Sequence, residues 1–360
     1  MDTGWKHRWY FRLLMLCLAW TVLLSGQEAN AQCVAEPSSS KADEGLVKRL
    51  PASCTRAERE AQSVRAEAIL DTLEKGQPVE LVGVVIHGEL NLDRLSVRKD
   101  GGGSIVEGQV SPKAEELRHI RGIVRIRDST VMGAMRHRSR QGMLQFDGPV
   151  DFQGTTFREG VDLSRSRFEG QVELAGAVFQ QEAYFVQGQF MRTMDCKNTK
   201  FGPHTRFHRS IFHGPVDCTR ALFDGMAELL EVTFESTALF EGVRFGSGTG
   251  FSGSRFTRRV SFGEAIFSRD AFFTFSKFDE TASFSGAQFL GLADFSDAVF
   301  AESDNLARAR FDNPPLFTRT KRVAQEPPAD GFNALLDRHG LTAFFLLLAV
   351  ALTAYALKRK

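Results

Sequence analysis

Large apolar residues return along residues 146–317 at alternating spacings of six and five. The series opens with Phe146, Phe152, Phe157, Leu163 and Phe168, and it continues without a slip to Phe317. Two positions before most members stands a small or β-branched residue, with a polar residue between them, as in Val150-Asp151-Phe152. Because residues i and i−2 of an extended segment point to the same side, the pattern predicts short strands with two inward side chains and one outward side chain.

The spacing amounts to an internal period of eleven residues, which indicates stacked copies of one small unit. Such a period also occurs in right-handed supercoils of α-helices. On a helix, however, steps of five and six would give two separate Phe stripes with glycines scattered between them. The pattern therefore favours an all-β solenoid.

A small residue two positions before a Phe or Leu, repeated every five or six residues, resembles the pentapeptide-repeat family. The resemblance implies a right-handed, quadrilateral parallel β-helix with four repeats per coil, so that one coil here takes twice the eleven-residue period. The extra residue on every second side departs from the family pattern and predicts wider corners at two of the four edges.

At this period of 22, two inward columns consist of Phe alone, and stacked rings at a strand spacing of about 4.8 Å would fill the core. The second column runs from Phe157 to Phe311. The first, which we take as the structural core, is Phe146, Phe168, Phe190, Phe212, Phe234, Phe256, Phe278 and Phe300.

The first residues predict export. Lys6, Arg8 and Arg12 precede the apolar run Leu13–Leu24, and Ala29-Asn30-Ala31 offers a cleavage site. We interpret residues 1–31 as a signal peptide; an uncleaved anchor stays open as the alternative. Export would place the rest of the chain in an oxidising compartment, where disulfides persist.

Four cysteines follow the predicted cleavage site: Cys33, Cys54, Cys196 and Cys218. Cys33 and Cys54 would close a short N-terminal loop. Cys196 and Cys218 lie one coil period apart at inward positions, and the spacing of adjacent coils fits a disulfide. Two buried free thiols in place of Phe remain the alternative for the second pair.

Residues 32–80 read as an N-terminal segment with one helix, Arg56–Lys75. Thr55 and Glu58 form a capping-box pattern, and Gly76 marks the end. We expect this helix to seal the first coil against edge-to-edge aggregation.

Residues 81–145 read as irregular first coils with aliphatic cores. Ile86–Leu92, followed by Val97, matches Phe146–Phe152, followed by Phe157, and Ile120, Ile126 and Val131 repeat the match. Two insertions, Arg98–His119 and Met132–Gln145, are predicted to be surface loops.

After Phe317 the pattern ends in a linker, residues 318–340, and Leu341–Leu357 then runs without a charge before Lys358-Arg359-Lys360. This predicts a transmembrane helix with a basic cytoplasmic tail. The repeat domain would then lie on the periplasmic side of the cytoplasmic membrane. A C-terminal sorting signal that is later removed is the alternative.

The sequence contains no pattern typical of a nucleophile elbow, a phosphate loop, a zinc-protease helix or a dinucleotide fingerprint. We therefore predict no enzymatic activity, no cofactor and no metal. The formal net charge of +1 gives no general attraction to nucleic acid.

One outward line stands out for its charge. Asp151, Glu173, Asp195 and Asp217 recur at intervals of 22. Carboxylates stacked at a strand spacing of about 4.8 Å repel one another, and a bound cation, a basic partner or a raised pKa would relieve the repulsion. A simple solvated face is the alternative.

These features lead to a membrane-anchored, non-enzymatic scaffold that presents a rigid β-helix to protein partners of the envelope. The alternative is a cation- or ligand-binding module that uses the four carboxylates Asp151, Glu173, Asp195 and Asp217, which we call the acidic ladder. Some members of the family that the sequence resembles mimic DNA and bind gyrase, but export argues against that role. The sequence indicates neither an oligomeric state nor an individual partner.

Overall fold

The computed structural model describes residues 33, 45–97, 116–137, 142–302 and 304–322. These residues wind into a parallel β-solenoid of about 11 turns with about 22 residues per coil. Four parallel sheets run along the rod, and we name them sides A, B, C and D in the order in which the chain visits them. The predicted four-sided parallel solenoid and its coil length are confirmed.

The strands are short, and most contain two residues. Side A contains Leu46–Arg49, Val79–Val82, Val124–Arg127, Val150–Asp151, Val172–Glu173, Met194–Asp195, Val216–Asp217, Ala238–Leu239, Val260–Ser261 and Ala282–Ser283. Side B contains Val64–Arg65, Val85–His87, Thr130–Val131, Thr156–Phe157, Val178–Phe179, Lys200–Phe201, Leu222–Phe223, Arg244–Phe245, Ile266–Phe267, Gln288–Phe289 and Arg310–Phe311.

Side C contains Leu90–Asn91, Met135–Arg136, Val161–Asp162, Ala183–Tyr184, His204–Arg206, Met226–Glu228, Thr249–Gly250, Ala271–Phe272 and Ala293–Asp294. Side D contains Glu116–Ile120, Gly142–Phe146, Ser166–Phe168, Gln189–Phe190, Ile211–Phe212, Thr233–Phe234, Arg255–Phe256, Lys277–Phe278, Val299–Phe300 and Lys321–Arg322. The described residues also form two short 3-10 helices, Leu92–Arg94 and Leu306–Arg308.

The predicted Phe column forms the core of side D. From Phe146 to Phe300 every ring stacks on the ring one coil away, with centroids 4.5–5.0 Å apart and planes within 12°. The column from Phe157 to Phe311 on side B stacks in the same way. Offset stacking at this spacing is a favourable aromatic geometry. The repeat of Phe once per coil therefore places the rings at a distance where they stack favourably.

The tight corners lie on the five-residue steps. In the step from Phe152 to Phe157, Gly154 has φ +63° and the N–H of Thr155 donates to the carbonyl of Phe152 at 3.1 Å. A positive φ at the third residue is the signature of a type II turn. Residues other than glycine also adopt it at equivalent positions, including Arg220 and Glu264.

The N-terminal helix prediction needs correction, because two shorter helices replace the single helix Arg56–Lys75. Helix α1 is Arg56–Ala61 and carries the predicted capping box of Thr55 and Glu58, and helix α2 is Ala66–Glu74. Between them Val64–Arg65 pairs with Ile86–His87 on side B. Pairing of this strand on side B therefore interrupts the single helix that the sequence pattern predicted. Helix α2 buries Ile69, Leu70 and Leu73 in the common core.

The register predicted for the early coils is also wrong by half a coil. Ile86 pairs with Val131, and Val131 pairs with Phe157, so Ile86 belongs to the side B column and not to that of Phe146. The 5 + 6 pattern repeats every half coil, and it cannot by itself distinguish the two halves. Ile120, in contrast, pairs with Phe146 as predicted.

The predicted insertion loops are shorter than expected. Met135–Arg136 is a strand of side C and Gly142–Phe146 a strand of side D, so these parts of Met132–Gln145 belong to the solenoid and not to a loop. Likewise, Glu116–Ile120 pairs on side D, which removes the end of Arg98–His119 from its loop. Residues 98–115 and 138–141 lie outside the described residues.

Strand pairing extends beyond the bounds predicted for the repeat region, from Leu46–Arg49 to Lys321–Arg322. The predicted signal peptide, residues 1–31, and the predicted transmembrane helix, residues 341–357, lie outside the described residues. None of the helices in the part that the structure describes has the length and apolar character that a membrane span requires.

Candidate partner surface

The structure brings the four ladder carboxylates into one line on side A. Asp151 pairs in register with Glu173, Glu173 with Asp195, and Asp195 with Asp217. The line begins after Arg125 and gives way to Leu239 one coil beyond Asp217. The acidic stretch is therefore bounded by other residue types at both ends.

Basic side chains compensate the first carboxylate of this acidic ladder. Asp151 is buried, and its Oδ2 lies 2.6 Å from Nε of Arg127 and 3.2 Å from Nε of Arg125. Arg125 also reaches Glu80 at 3.1 Å, and Arg49 reaches Glu80 at 2.8 Å. The hydrogen bond with Asp151 raises the pKa of Arg127, and that with Arg49 lowers the pKa of Glu80. A salt-bridge network thus runs over the early coils.

Further along, one lysine bridges the next two aspartates. Nζ of Lys197 lies 2.5 Å from Oδ2 of Asp195 and 3.5 Å from Oδ2 of Asp217. The hydrogen bond with Asp195 raises the pKa of Lys197. Glu173 accepts a hydrogen bond of 3.2 Å from Nε2 of Gln153. Each ladder carboxylate therefore has a partner within the chain, so the repulsion inferred from the sequence is largely offset.

The ladder aspartates also have a structural role. Oδ1 of Asp195 accepts the N–H of Lys197 at 2.9 Å, and Oδ1 of Asp217 accepts that of Thr219 at 3.0 Å. Such hydrogen bonds to the N–H two residues on form Asx turns, and here they precede the tight corners. Asp162 and Asp294 make the same bond on side C. Part of the aspartate periodicity is thus explained by corner geometry.

Directly behind the ladder lies a cystine. Cys196 and Cys218 follow Asp195 and Asp217, occupy the inward column of side A, and are joined by a disulfide with Cα atoms 4.5 Å apart. A second disulfide joins Cys33 to Cys54, with Cα atoms 5.0 Å apart. Both separations lie within the usual range for disulfides.

Side C carries a second charged cluster that the sequence analysis missed. The guanidinium of Arg206 lies 5.2 Å from the ring centroid of Tyr184, and its Nε lies 2.6 Å from Oε2 of Glu228. His204 lies within 3.5 Å of the same carboxylate. Tyr184, Arg206 and Glu228 recur at intervals of one coil, so extending the search from carboxylates to every outward column would have found them.

The described part of the chain contains no group of three or more His, Cys, Asp or Glu side chains placed to hold a metal ion. An open cleft lies at the corner between sides B and C, and Gly202, Gly225 and Ser247 are among the residues that line it. Lys200 and Asp224 also line it. Nζ of Lys200 lies 4.0 Å from Oδ2 of Asp224 in this cleft.

Four flat parallel sheets around a dry Phe core define the class of the protein as a four-sided β-solenoid. Residues 145–189 match the family model of pentapeptide repeats, with nine copies. This match and the ladder of Phe rings together support a pentapeptide-repeat protein. No curated protein and no solved structure gives a significant match.

Proposed function

We propose that this chain is a membrane-anchored, non-enzymatic scaffold that presents a rigid β-helix to protein partners outside the cytoplasm. The observation that carries the proposal is the single continuous core, which extends from Leu50 to Leu306. A core of stacked rings fixes the backbone, and the backbone holds outward residues of successive coils about 4.8 Å apart. Such a rod can present charges at defined distances without conformational adjustment.

The location rests on the residues at the two ends of the chain. The export pattern of residues 1–31 and the uncharged stretch Leu341–Leu357 support an anchored protein with its rod in the periplasm. The two disulfides support the same location, because disulfides persist in oxidising compartments. Helices α1 and α2 at the start of the rod would cover its first coil.

Side A is the proposed contact surface. Arg125 and Arg127 pair with Asp151, and Lys197 pairs with Asp195 and Asp217, so this surface presents carboxylates with cations beside them. A surface with both signs of charge suits a protein partner with complementary groups. It suits a bare cation less, because each carboxylate would first have to release a partner. The cation-binding alternative therefore draws less support from the geometry.

The test is capture of envelope proteins by crosslinking in native membranes. The variant Asp195→Asn with Asp217→Asn removes two ladder charges, while the amide oxygens keep the Asx-turn hydrogen bonds. The matched control on side C is Asp162→Asn, which changes the same type of corner residue.

We expect the wild type and the side C control to yield the same crosslinked partner, and the side A variant to lose it. Equal capture by both variants would refute side A as the contact surface. Absence of any crosslinked envelope protein from the wild type would refute the scaffold role itself. Calorimetry with Ca²⁺ on the same proteins, if it showed binding lost only in the side A variant, would favour the cation alternative.

A further inference from the structure

Exposed large apolar side chains gather at one end of the rod. Five are found among the described residues, and four of them belong to the last three coils: Phe272, Phe275, Leu290 and Leu316. We call these four residues the terminal patch. Phe272 pairs with Asp294, and Asp294 forms a bridge with Leu316, so Phe272 and Leu316 lie on side C. Leu290 and Phe275 occupy the corners that bound this side.

The earlier coils of side C have a different outward column. It reads Asp162, Tyr184, Arg206, Glu228 and Gly250 before Phe272. Apart from Met226, which is exposed at the edge of an earlier strand of side C, the described earlier coils of this side expose no large apolar residue, and side C becomes apolar in the last three coils. Monomeric proteins rarely expose contiguous apolar patches without an interaction to serve.

Phe275 is the most unusual member of the terminal patch. It is 62% exposed and has a φ of +59°, a conformation that is rare for a bulky residue. The residues at the equivalent corner of the other coils have the same positive φ but are polar or glycine: Arg165, Gln187, Arg209, Glu231, Gly253, Asp297 and Arg319. A strained backbone and an exposed ring both oppose folding, so packing does not explain this Phe. Such outliers point to function.

The same end of the rod is basic. The last coil, residues 301–322, contains five basic residues and three acidic residues. Three of the basic residues, Arg310, Arg319 and Arg322, pair with Asp312, Asp297 and Asp304 respectively, while the terminal coil keeps its positive balance. Apolar side chains beside Lys and Arg are the composition of surfaces that lie in a membrane interface.

We propose that the terminal patch and the basic last coil dock on an anionic lipid bilayer. The last three coils of the rod would then contact the same membrane that anchors the chain. The inference rests on the proposed anchor. Residues 323–340 link the last coil to Leu341, and even fully extended they span only about 60 Å. A second copy is disfavoured as the occupant because two basic ends would repel. Asp294, between Phe272 and Leu316, limits insertion to the headgroup level.

The experiment uses the whole chain in vesicles with and without phosphatidylglycerol. The three Trp residues of the sequence are Trp5, Trp9 and Trp20, so a Trp introduced in the repeat region is read against the parental chain. Phe275→Trp reports on the terminal patch, and Ser283→Trp on side A of a neighbouring coil is the matched control. Quenching by brominated lipids measures contact with the bilayer, and flotation of the whole chain measures the anchor.

We expect brominated lipids to remove most of the fluorescence of the Trp at 275, more so with phosphatidylglycerol, and little of that at 283. Equal quenching at both positions in a chain that floats would overturn the docking while leaving the anchor intact. A Trp at 275 shielded from water in the absence of vesicles would overturn it too, because a second copy or the chain's own C-terminal residues would then cover the patch. A chain that does not float would refute the anchor, and the docking with it.

Phe275→Gly supplies a second readout. Glycine relieves the positive φ, so folding stability should be kept or increased while footprinting of side C in vesicles shows lost protection. A variant that lost stability and kept its protection would contradict the assignment.

Discussion

The regular coils after Phe146 and the first coils before it follow the same path with different interiors. In the regular coils, identical rings stack in columns, as with Phe212, Phe234 and Phe256 at 5.0 and 4.8 Å. In the first coils the columns hold aliphatic residues, and His137 occupies an inward position with its Nδ1 2.8 Å from Asp93. Register is thus set by uniform rings in one region and by mixed aliphatic packing in the other.

The largest expected effect comes from breaking a ring column. Phe234→Ala removes the middle of a stack and should cost about 3–5 kcal/mol of unfolding free energy. Ile126→Leu in the first coils conserves volume and should cost less than about 1.5 kcal/mol. Guanidinium denaturation of both variants measures the contrast. Equal losses would mean that the two interiors are equally demanding.

The disulfide between Cys196 and Cys218 in the regular region should make the next largest contribution to the free energy of unfolding. Replacing Cys196 and Cys218 by Ala opens a loop of 22 residues, for which loop-closure entropy predicts about 3 kcal/mol. Thermal unfolding of the double variant, with and without reductant, measures this. Reductant should lower the stability of the wild type more than that of the variant, whose remaining disulfide is Cys33–Cys54. An unchanged variant would contradict this estimate, because it would show that the disulfide does not restrict the unfolded chain as loop-closure entropy requires.

The salt-bridge network of the first coils predicts a pH dependence that the Phe columns lack. The hydrogen bond with Arg49 lowers the pKa of Glu80 below its ordinary value of 4.5. The folded state therefore binds fewer protons here than the unfolded state, so the stabilisation is full above that value and is lost as pH falls through the lowered one.

The matching variant is Glu80→Gln. Urea denaturation between about pH 6 and pH 3 should show a smaller loss of stability for Glu80→Gln than for the wild type. Parallel pH curves for the two proteins would exclude Glu80 as a contributor.

The smallest effect is expected at the corners. Glu264 has φ +56°, whereas the residues one coil before and after it are Gly242 and Gly286. Glu264→Gly should raise stability by up to about 1 kcal/mol, since relief of left-handed strain exceeds the extra chain entropy of glycine. Glu264→Val should lower it. Thermal melts of the pair give the sign, and a destabilised glycine variant would contradict the strain assignment.

The sequence predicted the regular region in more detail than the first coils, for physical reasons. The Phe columns repeat once per coil, so both coil length and stacking could be inferred. The half-coil position of Ile86 could not, because its aliphatic neighbours lack the all-Phe columns that distinguish the sides. Val64 was predicted to be helical but lies in a strand, because it pairs with Ile86. Local propensity does not encode such a long-range contact.

The candidate surface was predicted only in part. The line of Asp151, Glu173, Asp195 and Asp217 followed from the period. Their compensation did not, because Arg127 and Lys197 leave the chain at corner positions whose side-chain direction depends on the turn. Nor could the sequence distinguish an aspartate that stabilises a corner from one that meets a partner, since Asp195 is placed to do both.

The central claim is that the chain advances by one strand spacing with each coil, and it can be measured directly. Glu173 and Ser283 lie on the outward column of side A, five coils apart in register. Spin labels at Glu173→Cys and Ser283→Cys should show a narrow distance distribution centred at about 24 Å in pulsed dipolar spectroscopy, allowing for the label arms. A broad distribution, or a separation several times larger, would contradict the solenoid and every surface derived from it.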